Sequence, residues 1–158
     1  MPDAPPRIRA ARPDEAAAIT DLALRSKRLW RYDEAFMTAM TPVMSITPSD
    51  IEAAHVEVLE SEGRLLGFLR LEWQEDHAWL EDLFIDPELV GQGHGRRLFE
   101  HAAAISHERG YEVMRFESDP NAEVFYLRRG AVRIGMSPNT AVPGRSVPLM
   151  ELRLAPAG

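Results

Sequence analysis

The run Val90-Gly91-Gln92-Gly93-His94-Gly95-Arg96-Arg97 constrains this chain more than any other stretch. Glycines at alternate positions separate a strand-like segment, Trp79 to Ile85 with an Asp86-Pro87 stop, from a helical pattern that opens at Leu98-Phe99. That pattern runs to Arg109-Gly110, with Leu98, Ala102 and Ile105 on one face and Gly110 where a helix-ending glycine belongs. A glycine loop that opens a helix presents unpaired backbone N–H groups at the positive end of the helix dipole. Such a turn holds a phosphate or pyrophosphate.

Spacing narrows the ligand. A mononucleotide P-loop ends in Lys followed by Ser or Thr, and that pair is missing from this loop. The dinucleotide fingerprint requires a glycine three residues after its second glycine; counted from Gly91 and Gly93, that position is Arg96. The fingerprint also belongs to an N-terminal βαβ unit, whereas this loop follows several antiparallel-looking strands. Both readings fail.

The remaining segments predict one α/β (α+β) domain over residues 1–158, with its core over about 7–154. Arg7 to Ala10 reads as a first strand, and Pro13-Asp14-Glu15 as a helix start leading to Ile19, Leu22 and Ala23 and ending near Lys27. A short helix holding Phe36, Met37 and Met40 is expected before a Thr41-Pro42 break. His55 to Glu60 and Leu65 to Glu72 read as a hairpin across Ser61-Glu62-Gly63-Arg64. Val113 to Phe116, Ala131 to Met136 and Val147 to Leu154 complete the strands, with a Pro-, Asn- and Gly-containing loop from Ser137 to Ser146. Asn121 can cap a helix carrying Val124, Phe125 and Leu127 that Gly130 ends. The Pro-rich opening and Ala155-Pro156-Ala157-Gly158 read as loose ends.

Composition removes several function classes. A net charge of −7 carries no basic footprint for nucleic acid. Cysteine is absent, which excludes disulfides, thiolate catalysis and Cys-based zinc sites. His94, His101 and His107 are not spaced to share a helix face as metal ligands, so no metal is expected. No apolar run approaches the roughly 20 residues of a membrane helix, and the opening lacks the pattern of a signal peptide. No membrane partner and a cytoplasmic location are therefore expected.

Two segments together carry a resemblance. Asp86 to Leu98 is similar to the acyl-CoA-binding motif of the GNAT superfamily of N-acetyltransferases: Gln or Arg, two residues, Gly, one residue, then Gly or Ala. Gly93 and Gly95 match the last two fixed positions, and Val90 stands where the family has a polar residue. Downstream, Asn121-Ala122-Glu123-Val124-Phe125-Tyr126-Leu127-Arg128-Arg129-Gly130-Ala131 resembles the family's later Asn, Phe-Tyr and Gly-apolar segment. The resemblance covers nearly the whole chain. It implies the GNAT fold, a mixed and mostly antiparallel sheet of six to seven strands flanked by about four helices.

It also implies acetyl-CoA as co-substrate and a division of labour. Gly91, Gln92, Gly93, His94, Gly95 and Arg96 would face the pyrophosphate. Leu83, Phe84 and Ile85, on a strand that splays from its neighbour in the family, would offer backbone to the pantetheine arm, and Asn121 would contact the carrier. Tyr126 matches the tyrosine that donates to the CoA sulfur; a packing tyrosine beside Phe125 is the plainer reading. Glu81 matches the usual candidate base of related polyamine acetyltransferases and is the expected base here, acting directly or through water. Asp82 is its competitor, since strand alternation sends the two carboxylates to opposite faces. Trp30, Tyr32 and Phe36 lie in the region that roofs the family's acceptor pocket, with Pro143-Gly144-Arg145 as a second wall and core packing as the default for the aromatics.

The expected activity is transfer of acetyl from acetyl-CoA to a primary amine of a small molecule by direct attack. Alternatives are a non-catalytic acyl-CoA-binding sensor or regulatory domain, and a protein N-terminal or lysine acetyltransferase. A homodimer is left open.

Overall fold

The computed structural model describes residues 4–154, whose seven strands form one sheet in the order β1-β2-β3-β4-β5-β7-β6. In chain order the elements are β1 (Arg7–Ala10), α1 (Ala16–Arg28), α2 (Glu34–Met44), α3 (Pro48–Ala53), β2 (His55–Ser61), β3 (Arg64–Trp73), β4 (Ala78–Ile85), α4 (His94–Glu108), β5 (Val113–Glu117), α5 (Glu123–Arg128), β6 (Val132–Pro138) and β7 (Ser146–Arg153). Every adjacent pair is antiparallel except β4 with β5. The mixed, mostly antiparallel architecture expected from the sequence is the one that forms. The loose ends read at Met1–Asp3 and Ala155–Gly158 lie outside the described residues.

Each face of the sheet carries its own core. On one face Ile19, Leu22 and Ala23 of α1, Met44 of α2 and Ile51 of α3 bury against Val56, Val58 and Phe68. On the other, Leu98, Phe99 and Ala102 of α4 and Tyr126 of α5 pack on Leu69, Leu71, Leu80, Met114 and Phe116. Helical spacing placed the α1 and α4 stripes correctly because 3.6-residue periodicity decides which side chains share a face.

Three local expectations are corrected. The Thr41-Pro42 break does not occur: α2 continues to Met44 with Pro42 inside it. Pro42 falls in the last turn and has no N–H to donate to the carbonyl of Thr38, four residues back. The Thr41 hydroxyl donates to Met37 O at 2.7 Å and the Ser45 hydroxyl to Thr41 O at 2.7 Å, which closes the turn. Next, α3 was not foreseen. Its start is a capping box, with the Thr47 hydroxyl accepting from the Asp50 N–H and the Asp50 carboxylate from the Thr47 N–H. Finally, Asn121 does not cap α5. It lies inside a 3-10 turn, Pro120–Ala122, whose cap is Asp119, and α5 starts at Glu123 with no side-chain cap. Val124 and Leu127 of α5 are exposed; Tyr126 is the residue this helix buries.

Two features of β4 position the site. Gly67 lets β3 and β4 close: a Cβ there would meet Ile85 Cδ1 at 2.6 Å and Phe84 O at 2.8 Å. On its other side β4 pairs with β5 only at Ala78↔Met114 and Trp79↔Arg115. Beyond Trp79 the strands part, and the backbone of Leu80 to Ile85 faces an opening in the sheet.

Candidate active site

The opening between β4 and β5 continues into a cleft of about 930 Å³ that passes from one face of the sheet to the other. The glycine loop forms its rim on the α4 side. Gly93 is the N-cap of α4 with φ 85°, a left-handed conformation that only glycine adopts without penalty. The first amide of the helix with an intrahelical partner is Arg97, which donates to Gly93 O at 3.1 Å. The N–H groups of His94, Gly95 and Arg96 precede it and are left for a ligand. The strand end feeding this loop is pinned by Asp86, which is buried beside Arg25 (3.2 Å) and Arg64 (3.4 Å) and accepts from the Glu88 N–H at 3.0 Å. Burial alone would raise the Asp86 pKa; those hydrogen bonds and guanidinium groups outweigh it and hold it below the usual carboxylate range.

Midway through the cleft lies Tyr126. Its ring is buried against Phe116 (4.6 Å between centroids), Phe125 (5.0 Å) and Phe99 (5.3 Å). Burial, with the Asp119 charge adding to it, pushes the phenol pKa well up, so the group keeps its proton at neutral pH. The side chain belongs to the core and also lines the cleft, so its packing does not take it away from the cleft wall.

Glu81 and Asp82 lie on the cleft wall together. Strict alternation between them is corrected: Arg70 pairs with Asp82 and Leu71 with Leu80, so Glu81 is an extra residue, a β-bulge in β4. The bulge turns both carboxylates toward the α1–α3 face. Asp82 stands over Arg70, which contacts Asp50 of α3 at 3.8 Å, and the exposed Glu81 accepts from Trp79 Nε1–H at 2.5 Å. Asp82 is largely buried. That burial, together with the neighbouring Glu81 charge, lifts its pKa from 3.8 to about 7 against the opposing pull of Arg70 at 4.0 Å.

Of the other residues singled out from the sequence, Leu83, Phe84, Ile85, Gly91, Gly93, His94, Gly95, Arg96, Asn121 and Trp30 line the cleft. Gln92 is exposed and outside its wall; its side chain points into solvent from the loop. Tyr32 and Phe36 also fall outside the wall. They stack on each other at 3.9 Å, and Tyr32 supports the cleft from behind. Val90, at the family's polar position, is 60% exposed on the cleft rim.

The support behind the cleft was legible only in part: the sequence singles out Tyr32, Asn121 and Arg145, but not Asp119 or the partnership of Lys27 with it. Asp119 accepts from Lys27 Nζ at 2.6 Å, Tyr32 Oη–H at 2.8 Å, the Asn121 N–H at 2.8 Å and Asn121 Nδ2–H at 2.9 Å. Arg145, from the β6–β7 loop, donates to Tyr32 Oη at 2.8 Å and lies over both aromatic rings. Burial alone would raise the Asp119 pKa, but the Lys27 ammonium and these hydrogen bonds hold it down. A signal for Lys27 existed: it continues the Ile19–Ala23 stripe one turn further, on the buried face of α1.

A profile of the acetyltransferase (GNAT) domain matches residues 52–130, half of the chain, spanning β2, β3, β4, the glycine loop, α4, β5 and α5. This chain belongs to the GNAT acetyltransferases. As a member of that family it is an acetyl-CoA-dependent acetyltransferase.

Solved GNAT structures share the fold. A GCN5-related N-acetyltransferase from Rhodopseudomonas palustris superposes with TM-score 0.81 at 21% identity, over 98% of this chain and 99% of that one. The PaiA N-acetyltransferase of Thermoplasma acidophilum, solved with coenzyme A, gives 0.76 at 18% identity over 95% and 99%. A ribosomal-protein alanine N-acetyltransferase from Escherichia coli gives 0.69 at 22% identity over 97% and 96%. At these identities the likeness is one of fold. No curated protein sequence matches the chain. No helix among the described residues is long and apolar enough to cross a membrane.

Proposed function

We propose that this GNAT enzyme acetylates a primary amine of a small molecule by direct attack on the thioester of acetyl-CoA, without a covalent enzyme intermediate. One observation carries the reading. A single cleft joins the free amides of the α4 entry, the unpaired edge of β4, the protonated phenol of Tyr126 and the Glu81–Asp82 pair. The co-substrate supplies an activated acetyl group; the chain's own residues supply binding, proton transfer and orientation.

In this reading the amides of His94, Gly95 and Arg96, with Gly91 and Gly93 beside them, hold the pyrophosphate. The edge of Leu83, Phe84 and Ile85 holds the pantetheine arm, and Asn121, tied to Asp119, borders the carrier. The amine enters from the α1–α2 side, where Trp30 and the carboxylates lie. Asp82 takes the first proton, leaving the nitrogen lone pair free to attack; a carboxylate titrating near 7 is well matched to that task at neutral pH. Glu81 supplies a second negative charge that draws the ammonium in. As the C–N bond forms and the C–S bond breaks, Tyr126 protonates the departing sulfur and is reprotonated by the second amine proton. Amide and thiol result, and the proton on Asp82 passes to solvent. The absence of cysteine leaves no thiol to carry an acyl-enzyme.

The test is thiol release from acetyl-CoA with a panel of amines, amino acids, polyamines and peptides, with mass detection of the acetylated product. Acetylated small amines are expected, and Tyr126→Phe should lower kcat by about 10²-fold with acetyl-CoA binding retained. Turnover only with peptides would replace the small-molecule acceptor. Acetyl-CoA binding without any product would turn the site into a sensor.

A further inference from the structure

We propose that the acceptor is an apolar monoamine: one ammonium on an aromatic or aliphatic body, without a carboxylate beside it. This rests on the amine-acetylation reading above and specifies its acceptor.

The acceptor mouth pairs two properties that seldom coincide on a protein surface. Its walls, from the end of α1 and from α2, are Leu29, Trp30, Met40 and Val43. Leu29, Trp30 and Val43 are 44%, 42% and 55% exposed, so large apolar side chains face the cleft without protein cover. Isolated exposed apolar residues need no explanation, but a contiguous set lining a concave wall marks a binding surface. At the base of that wall stand Glu81 and Asp82.

Charge then selects within the apolar ligands. Among the described residues no cation pairs with Glu81, and Asp82 has only Arg70 at 4.0 Å, which also serves Glu72 at 3.3 Å and Asp50 at 3.8 Å. The cations across the mouth are already engaged: Lys27 lies 2.6 Å from Asp119, and Arg145 lies 4.0 Å from the same carboxylate. Of the two further arginines on the cleft lining, Arg96 pairs with Glu100 at 2.8 Å and Arg129 lies over the Phe125 ring, on the α4–α5 side away from Trp30. The unneutralised charge at the mouth is therefore negative and localised at one end. An ammonium fits there with its body along the Trp30 wall, where a cation near the indole gains further attraction. An α-amino acid would bring its carboxylate against Glu81 and Asp82. A polyamine would lay charged nitrogens on an apolar wall and lose their hydration.

The matched comparison is phenethylamine against phenylalanine, which differ by one carboxylate, with ethylamine, spermidine and an alanine-starting peptide as further acceptors. Phenethylamine is expected to exceed phenylalanine and ethylamine in kcat/KM by about tenfold or more. Trp30→Ala should raise the phenethylamine KM by about tenfold with the acetyl-CoA KM unmoved, and Trp30→Phe should restore most of it. Calorimetric titration of phenethylamine and of spermidine into the CoA-loaded protein reads the same preference independently of turnover. Preference for spermidine, phenylalanine or the peptide, or a Trp30→Ala loss that falls equally on ethylamine, would overturn the proposal. Phenethylamine binding without acetylation would keep this acceptor class and remove the catalytic reading. Acetylation of amines without apolar preference would do the reverse.

Discussion

Asp82 shows how one backbone irregularity changes the chemistry of a side chain. In a regular strand it and Glu81 would face opposite sides of the sheet; the bulge at Glu81 brings both carboxylates to the same cleft wall. Proximity and burial then keep Asp82 protonated to about pH 7 in the fold, against 3.8 in the unfolded chain. Between those values the folded state binds the extra proton, so stability falls as pH rises through the interval, and the full cost is present above about 7. Asp82→Asn should therefore raise the melting temperature more at pH 8 than at pH 5, while removing the acid limb of the kcat/KM profile near 7. If Glu81→Gln abolishes that limb and Asp82→Asn leaves it, the proton acceptor is Glu81. The sequence singles out the pair and favours Glu81 as the base; the bulge that turns both toward the cleft depends on the register between β3 and β4, which a single sequence does not carry.

The decisive element is the turn into α4. Its glycines are legible in the sequence because the left-handed backbone at Gly91 and Gly93 is strained for most other residues, and the spacing alone removed two nucleotide readings. At Gly93 a Cβ would meet nothing within 4 Å, so the obstacle to another residue is the left-handed backbone and not space. Gly93→Ala is expected to cost about 1 kcal/mol in chemical denaturation and to weaken acetyl-CoA binding by tilting the first-turn amides. An unchanged Kd by calorimetry would place the pyrophosphate elsewhere. Elements fixed by periodicity, such as α1 and α4, were read well. α3 and the start of α5 were not, because short segments are decided by one or two capping side chains. At α3 the cue lay in Thr47 and Asp50; at α5 the cap was Asp119, two residues before the Asn121 that spacing favoured.

Across the whole molecule, the parting of β4 and β5 creates the cleft, and a few long-range polar contacts hold its two sides in place. The Lys27–Asp119 pair spans 92 positions in the chain and links α1 to the turn that leads into α5. Both side chains are about nine-tenths buried, so Asp119→Ala would strand the Lys27 ammonium and is expected to destabilise the fold by about 3 kcal/mol in denaturant titrations. Contacts of this range leave no pattern in a single sequence: helical spacing puts Lys27 on the buried face of α1, but nothing in the sequence joins it to Asp119. The reach of the cleft from donor cradle to acceptor mouth also implies that both substrates are present together when the acetyl group moves. Initial velocities measured over a grid of acetyl-CoA and phenethylamine concentrations test this most directly. The account predicts intersecting double-reciprocal lines with one acetylated amine formed per thiol released; parallel lines, or thiol released without acetylated amine, would contradict it.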